Sequence, residues 1–330
     1  MKKVFAFILT LVMLHVIAAC ESSNETYDIV TTLFPQYDMA RAIAGDDLTV
    51  HNILPFATSP HSYEITSSDR TMIENASLFI YTSDELEVWA SALSLSNTTI
   101  LNLELESEAH GEEEHEHLEE EHEHDEEEHE HDDEDHDHDH ADVHYWTNPH
   151  TMRDMVHVIL EHMILIKPEL ENTFVERADV YLETLSQLDT DLNTFLASYS
   201  DIDLELYIAG HNAMSEFGEY YGLEIIALFP EFIPDAELSS LELSTFTTEL
   251  IERDIKAFFI EPVFDNEPLA AKAIQSELNA QDKTSSYYEL HQFHNISSTD
   301  AMNNMTLFDI FEQNIQNIKT VIELNYGPRT

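Results

Sequence analysis

Ten histidines and nineteen carboxylates occupy residues 110–140, interrupted only by Gly111 and Leu118. Imidazole is the commonest protein ligand for zinc and other late transition metals, and carboxylates assist it. Within the tract a His-acid-His unit recurs every seven residues, at His115/His117, His122/His124, His129/His131 and His136/His138, and His140 closes the run. In extended backbone, residues i and i+2 project to the same side, so each pair can act as a pincer on a metal ion. The seven-residue period is not a coiled coil, because the apolar seam is missing. Like charges throughout disfavour a metal-free helix, so residues 108–141 read as a disordered loop. A chain built this way handles a metal ion. The tract alone leaves open whether it transports, stores, senses or uses that ion.

Nine further histidines lie outside the tract and the N-terminal apolar run: His51, His61, His144, His150, His157, His162, His211, His291 and His294. Four of them stand in loops after predicted strands or at helix starts: His61 in Ser59-Pro60-His61, His144 in Val143-His144-Tyr145, His211 in Gly210-His211-Asn212, and His294 in Phe293-His294-Asn295. In α/β sheets ligands collect at the carboxyl ends of strands. Two lobes that each contribute two imidazoles would close a tetrahedral nitrogen site. His51, His150, His157 and His162 read as ordinary polar positions. Local context favours the first four, but composition alone does not assign them as ligands.

The elements that must position these residues read as α/β. Ile29 to Phe34 is a β-rich run ending at Pro35, Tyr37 to Ala44 is helical, and Leu48 to Leu54 alternates as a strand. Ser67-Ser68-Asp69 opens a helix to about Asn75, and Leu78 to Tyr81 is a third strand. After the tract a helix runs from about His150 to Ile166, and a second from Pro168 to about Ser198 without internal Gly or Pro. At 1.5 Å per residue, thirty residues span roughly 45 Å, enough for a rigid strut between lobes. Strand–helix alternation then resumes, with strands at 206–209, 224–228 and 257–260 and helices at 213–221, 244–254, 269–278 and 305–324. The expected architecture is two parallel-sheet α/β lobes joined by one long helix, with a metal site between them. The expected boundaries are an N-terminal lobe over 20–165, a linking helix over 166–199 and a C-terminal lobe over 200–330.

Composition narrows the partners. The chain has 13 Lys and Arg against 67 Asp and Glu, for a formal net charge of −54. That balance disfavours nucleic acid, whose phosphates need cationic side chains. It attracts cations and suits a saline or alkaline exterior. Lys2 and Lys3 precede an apolar run from Val4 to Ala19, the pattern of a secretory signal over residues 1–19. Ile17-Ala18-Ala19-Cys20 resembles the bacterial lipobox, in which cleavage precedes a Cys that is then lipidated. Cys20 is the single cysteine, so the mature chain has no internal disulfide and is expected to be anchored on the outer face of the cytoplasmic membrane as a monomer.

Several segments, in this order, resemble the zinc/manganese solute-binding lipoproteins of bacterial metal ABC importers. They are Thr32-Leu33-Phe34-Pro35, Ser59-Pro60-His61-Ser62-Tyr63-Glu64, Val143-His144-Tyr145-Trp146-Thr147-Asn148-Pro149, His211-Asn212-Ala213 with Tyr221-Gly222-Leu223, and Ile260-Glu261-Pro262. The resemblance covers nearly the whole mature chain. It implies that His61, His144 and His211 are metal ligands and that an ABC permease is the partner. The family's fourth position is usually an acid or solvent; here the aligned residue is His294, with His291 or water as the alternatives. Manganese members typically carry a carboxylate at the third position, so His211 makes this chain similar to the zinc branch, where a His-rich acidic loop is also common. Two departures fall in loops. Phe56-Ala57 stands where a Gly often precedes the first histidine motif, and Glu237-Leu238-Ser239 stands where Glu-Pro-Ser is common.

The chemistry points the same way. Nitrogen-rich sites suit Zn2+, whereas Mn2+ prefers oxygen and lies at the weak end of the affinity order. Glu64 and Glu261 are candidate carboxylates for orienting the ligating rings. The rival readings are a manganese importer component, a surface zinc buffer or adhesin, and a zinc hydrolase. The last needs an open coordination position and a general base, and the chain has neither a His-Glu-x-x-His helix nor a Gly-x-Ser-x-Gly elbow.

Overall fold

The computed structural model describes residues 26–104, 143–229, 239–262 and 269–329. The expected signal peptide, Cys20 and the histidine tract lie outside the described residues, as do Glu237 and Leu238.

The N-terminal half alternates strand and helix: β1 (Ile29–Thr31), α1 (Phe34–Ala44), β2 (Val50–Asn52), α2 (Ser67–Asn75), β3 (Leu78–Tyr81) and β4 (Thr99–Asn102). β1 is shorter than its apolar run, and α1 begins at Phe34 rather than Tyr37. Pro35 falls in the first helical turn, where its missing N–H is not needed and its fixed φ suits a helix. The cap of α2 is Thr66, one residue before the expected Ser67. Its hydroxyl accepts from the Asp69 N–H at 3.2 Å, and Asp69 accepts from the Thr66 N–H at 2.8 Å.

Two helices follow, α3 (Pro149–Ile166) and α4 (Glu171–Ala197), with one 3-10 turn at Pro168–Leu170 before α4. The C-terminal half then gives β5 (Leu204–His211), α5 (Ser215–Tyr221), β6 (Leu223–Phe229), α6 (Ser240–Glu252), β7 (Ala257–Ile260), α7 (Leu269–Ala280), β8 (Ser286–Glu289), α8 (Ser298–Met302) and α9 (Leu307–Tyr326).

The strands form two parallel sheets with matching topology, ordered β2-β1-β3-β4 and β6-β5-β7-β8. Strands covered on both faces are apolar on both faces. In β3, Leu78 and Ile80 face one core cluster while Phe79 and Tyr81 face another. The outer faces carry separate clusters, one around Val30, Ile73 and Phe79, the other around Tyr207, Phe246, Phe258 and Ile274. The inner faces share a single cluster with α1, α3, α4 and α9, running from Ile29 and Phe34 through Phe174, Leu185 and Leu192 to Phe217, Phe293 and Phe311. The long helix therefore lies inside the common core and ties the two lobes together.

Two buried aspartates fix that helix. Asp38 of α1 accepts from Arg41, from the Tyr181 hydroxyl of α4 at 3.1 Å and from the Leu307 N–H of α9 at 3.2 Å. Burial pushes the Asp38 carboxyl up, against the pull of Arg41 and these hydrogen bonds. Asp189 of α4 accepts from Arg153 of α3 at 2.5 Å and from the Tyr220 and Tyr221 hydroxyls of α5, each at 2.9 Å. Arg177 of α4 also donates to the Ala44 carbonyl at 2.6 Å, satisfying the C-terminus of α1.

Candidate metal centre

His61 lies in a 3-10 turn, Pro60–Ser62, that follows β2. The loop into it passes through Ala57 at φ 62°, the left-handed conformation that a glycine takes without strain. The Gly expected near this point is thus replaced by a residue that still adopts the glycine geometry. Glu64 follows the turn and is exposed. Among the described residues no hydrogen bond joins it to a site histidine.

His144 is buried at the head of another 3-10 turn, Tyr145–Thr147. Its carbonyl accepts from both the N–H and the hydroxyl of Thr147 at 3.0 Å. The Tyr145 hydroxyl donates to the Thr82 carbonyl at 3.0 Å, just past β3. Thr82 is held in turn by the buried carboxylate of Glu87, which also accepts from Thr32 and Ser83. Trp146 stands edge-on to His144 at 5.3 Å and donates its Nε1–H to the Gln292 carbonyl of the other lobe at 3.0 Å.

His211 ends β5 and is oriented by Glu261, the residue after β7. One carboxylate oxygen, Oε1, accepts from the His211 backbone N–H and from Nδ1, both at 2.5 Å. With the proton held at Nδ1, Nε2 carries the lone pair that faces the site. Burial acts to raise the Glu261 carboxyl, but the bonds from His211 outweigh it and hold it below the usual range. Gly210 makes this contact possible, because a Cβ there would stand 2.2 Å from Glu261 Oε1.

His294 lies in the loop after β8, next to Phe293, a buried residue held at φ 65°. His294 Nδ1 is buried without a hydrogen-bond partner among the described residues. The neighbouring His291 is engaged differently. Its Nδ1 accepts the Phe293 N–H at 2.9 Å, and burial pushes its ring down to about 4. That neutral tautomer leaves the proton on Nε2 and no second lone pair for a metal.

The four loops converge. One ring nitrogen from each of His61, His144 and His211 lies within 4.8 Å of the other two. Ring centroids are 5.5 Å apart for His61–His144, 5.6 Å for His61–His211 and 5.2 Å for His144–His211. The His294 ring lies nearby, its centroid 6.2 Å from that of His61, outside the group of three. Burial, reinforced by the His144 and His211 rings, pushes His61 down to about 3. Burial, with the surrounding histidines, also lowers His294. Both shifts favour the neutral ring, the form in which an imidazole can ligate a cation. His157 and His162 lie on α3, where His162 Nδ1 bonds to the Val158 carbonyl at 2.9 Å, and His51 stacks on Tyr27 at 4.3 Å. The auxiliary histidines His115, His117, His122, His124, His129, His131, His136, His138 and His140 lie outside the described residues. Sequence reasoning missed Gly210, Glu87 and Asn295. Only Gly210, directly before a candidate ligand, carried any local signal.

Two parallel-sheet lobes joined through one embedded helix, with histidines gathered where the strand ends face each other, define a solute-binding protein of the rigid-helix class. The chain belongs to the family described as zinc-uptake complex component A, periplasmic (ZnuA), whose model matches residues 29–321. It is 27% identical over 242 residues to the zinc-binding protein AdcA of Streptococcus pyogenes serotype M3, an alignment covering 71% of this chain and 45% of that protein. The chain thus spans about half the length of that relative. It is 25% identical over 308 residues to the high-affinity zinc uptake system protein ZnuA of Bacillus subtilis, covering 91% of this chain and 89% of that protein. Its fold matches the Zn(II)-bound ZnuA-like domain of Streptococcus pneumoniae AdcA with a TM-score of 0.68 at 21% identity, over 90% of this chain and 99% of that one.

Proposed function

We propose that this chain captures Zn2+ outside the cytoplasm and delivers it to the permease of an ABC importer. His61, His144 and His211 are the ligands, and His294 completes the set. The reading rests on one observation: three imidazoles from loops of both lobes converge within 4.8 Å. An all-nitrogen set favours zinc over manganese. Four protein ligands leave no open position for an activated water, so the site suits carriage rather than catalysis. Lipidation at Cys20 would hold the chain, as a monomer, on the outer face of the cytoplasmic membrane. The tract around His115–His140 would collect ions loosely beside the main site.

Titration of the metal-free protein tests this. Zn2+ should fill one tight site and several weak ones, and Mn2+ should compete poorly for the tight site. Deleting residues 110–140 should remove only the weak sites. His61→Ala, His144→Ala and His211→Ala should each abolish the tight one; its survival in any of them would remove that residue from the ligand set, and in all three would overturn the assignment.

A further inference from the structure

The segment 292–296 of the C-terminal lobe makes a dense set of hydrogen bonds to the loops of the N-terminal lobe. The Gln292 carbonyl accepts from Trp146 Nε1, the His294 carbonyl from the Phe34 N–H at 3.2 Å, and the Ile296 carbonyl from the Ala57 N–H at 2.9 Å. Between these lies Asn295, which is fully buried. Its Nδ2 donates to the Pro55 carbonyl at 2.9 Å and to the Thr58 carbonyl at 2.7 Å, while its Oδ1 accepts the Ile296 N–H at 2.9 Å. Pro55 and Thr58 bracket the left-handed Ala57 and lead directly into the turn that carries His61. Both contacted groups are acceptors, so the side chain between them must supply two donors from one atom and an acceptor from the other. A carboxylate of the same shape supplies none of the donors. A residue held at φ 62° persists only where its surroundings over-determine it, and Asn295 provides that restraint.

We infer that Asn295 is a positioning residue that sets His61 from the opposite lobe, so that His61 and His294 are placed by one shared latch. The inference rests on the zinc-binding reading above. It makes the tight site dependent on a side chain that touches no metal.

The test compares the full chain with its Asn295→Asp and His61→Ala forms, using Zn2+ affinity by chelator competition and the visible d–d bands of the Co2+-loaded protein. Band intensity reports coordination number and geometry, which a merely structural role would not move. Asn295→Asp should weaken Zn2+ binding about 10–100-fold, the range for groups that orient metal ligands. It should also dim the Co2+ bands towards those of a higher-coordinate site, and His61→Ala should lower affinity by a smaller factor in the Asn295→Asp background than in the unmodified chain. If Asn295→Asp fails to fold, the smaller and uncharged Asn295→Ser form is read instead, with the same expectation. Wild-type affinity and spectrum in the variant that folds would overturn the inference while leaving the zinc reading intact. Absence of a tight site in the unmodified chain would instead overturn the zinc reading.

Discussion

At the scale of single residues, the site is organised by side chains that are not themselves candidate ligands. Glu261 determines which nitrogen of His211 faces inward, and it can do so because position 210 has no side chain. Gly210→Ala should therefore be a site-selective lesion. The new methyl meets the flexible end of Glu261 rather than backbone, so the fold should hold while the carboxylate is driven off His211. The expected result is about a 10-fold or greater fall in Zn2+ affinity with a nearly unchanged melting temperature, measured on the same preparation. Equal zinc affinity would show that the carboxylate plays no part in orienting the ring. The histidines themselves could be picked out from their places after strands. Glu261 could be named as a candidate for orienting a ligand ring, but neither its pairing with His211, fifty residues away, nor its need for a bare Gly210 could be read from the sequence.

At the scale of elements, α4 is held at two points by buried carboxylates. Asp189→Ala would leave Arg153 and the Tyr220 and Tyr221 hydroxyls without their shared acceptor. A fully buried pair loses roughly 3–5 kcal/mol when one partner is removed, and the partial exposure of Arg153 lowers that to about 2–3 kcal/mol. Urea unfolding should show a lower midpoint with an unchanged slope. Runs with strong apolar character and clear caps were legible from sequence. β3 and β7 lie at their expected residues, and α2 differs only in its cap. The strands β4 (Thr-Ile-Leu-Asn) and β8 (Ser-Tyr-Tyr-Glu) escape a reading by apolar runs, because each is a four-residue edge strand with a polar residue at either end. Sequences such as Ser-Tyr-Tyr-Glu at 286–289 need little apolar content at a sheet edge. α1 starts three residues before the expected Tyr37, because Pro35 fits the first helical turn instead of ending the segment.

At the scale of the whole molecule, one apolar cluster runs from the first sheet through α4 to the last helix. Heating should give a single cooperative transition, shifted upward by zinc through mass action. The metal-free protein should lose stability as the pH falls from about 6.5 towards 4. His61 and His291 are held neutral when folded, with values pushed down to about 3 and about 4, whereas the unfolded chain takes up protons below 6.5. The buried carboxyls Asp38 and Glu87, raised by burial, titrate in the opposite sense. The histidine contribution is therefore read from the difference between the protein and its His291→Gln form, which should show the shallower dependence of melting temperature on pH. Two distinct transitions would contradict the shared core. Because that interior is continuous, the halves cannot swing apart like jaws without exposing it. Yielding of the cross-lobe contacts of residues 292–296 would open a way out that leaves the core closed, so the strength of that short stretch of backbone would bear on how long an ion dwells there.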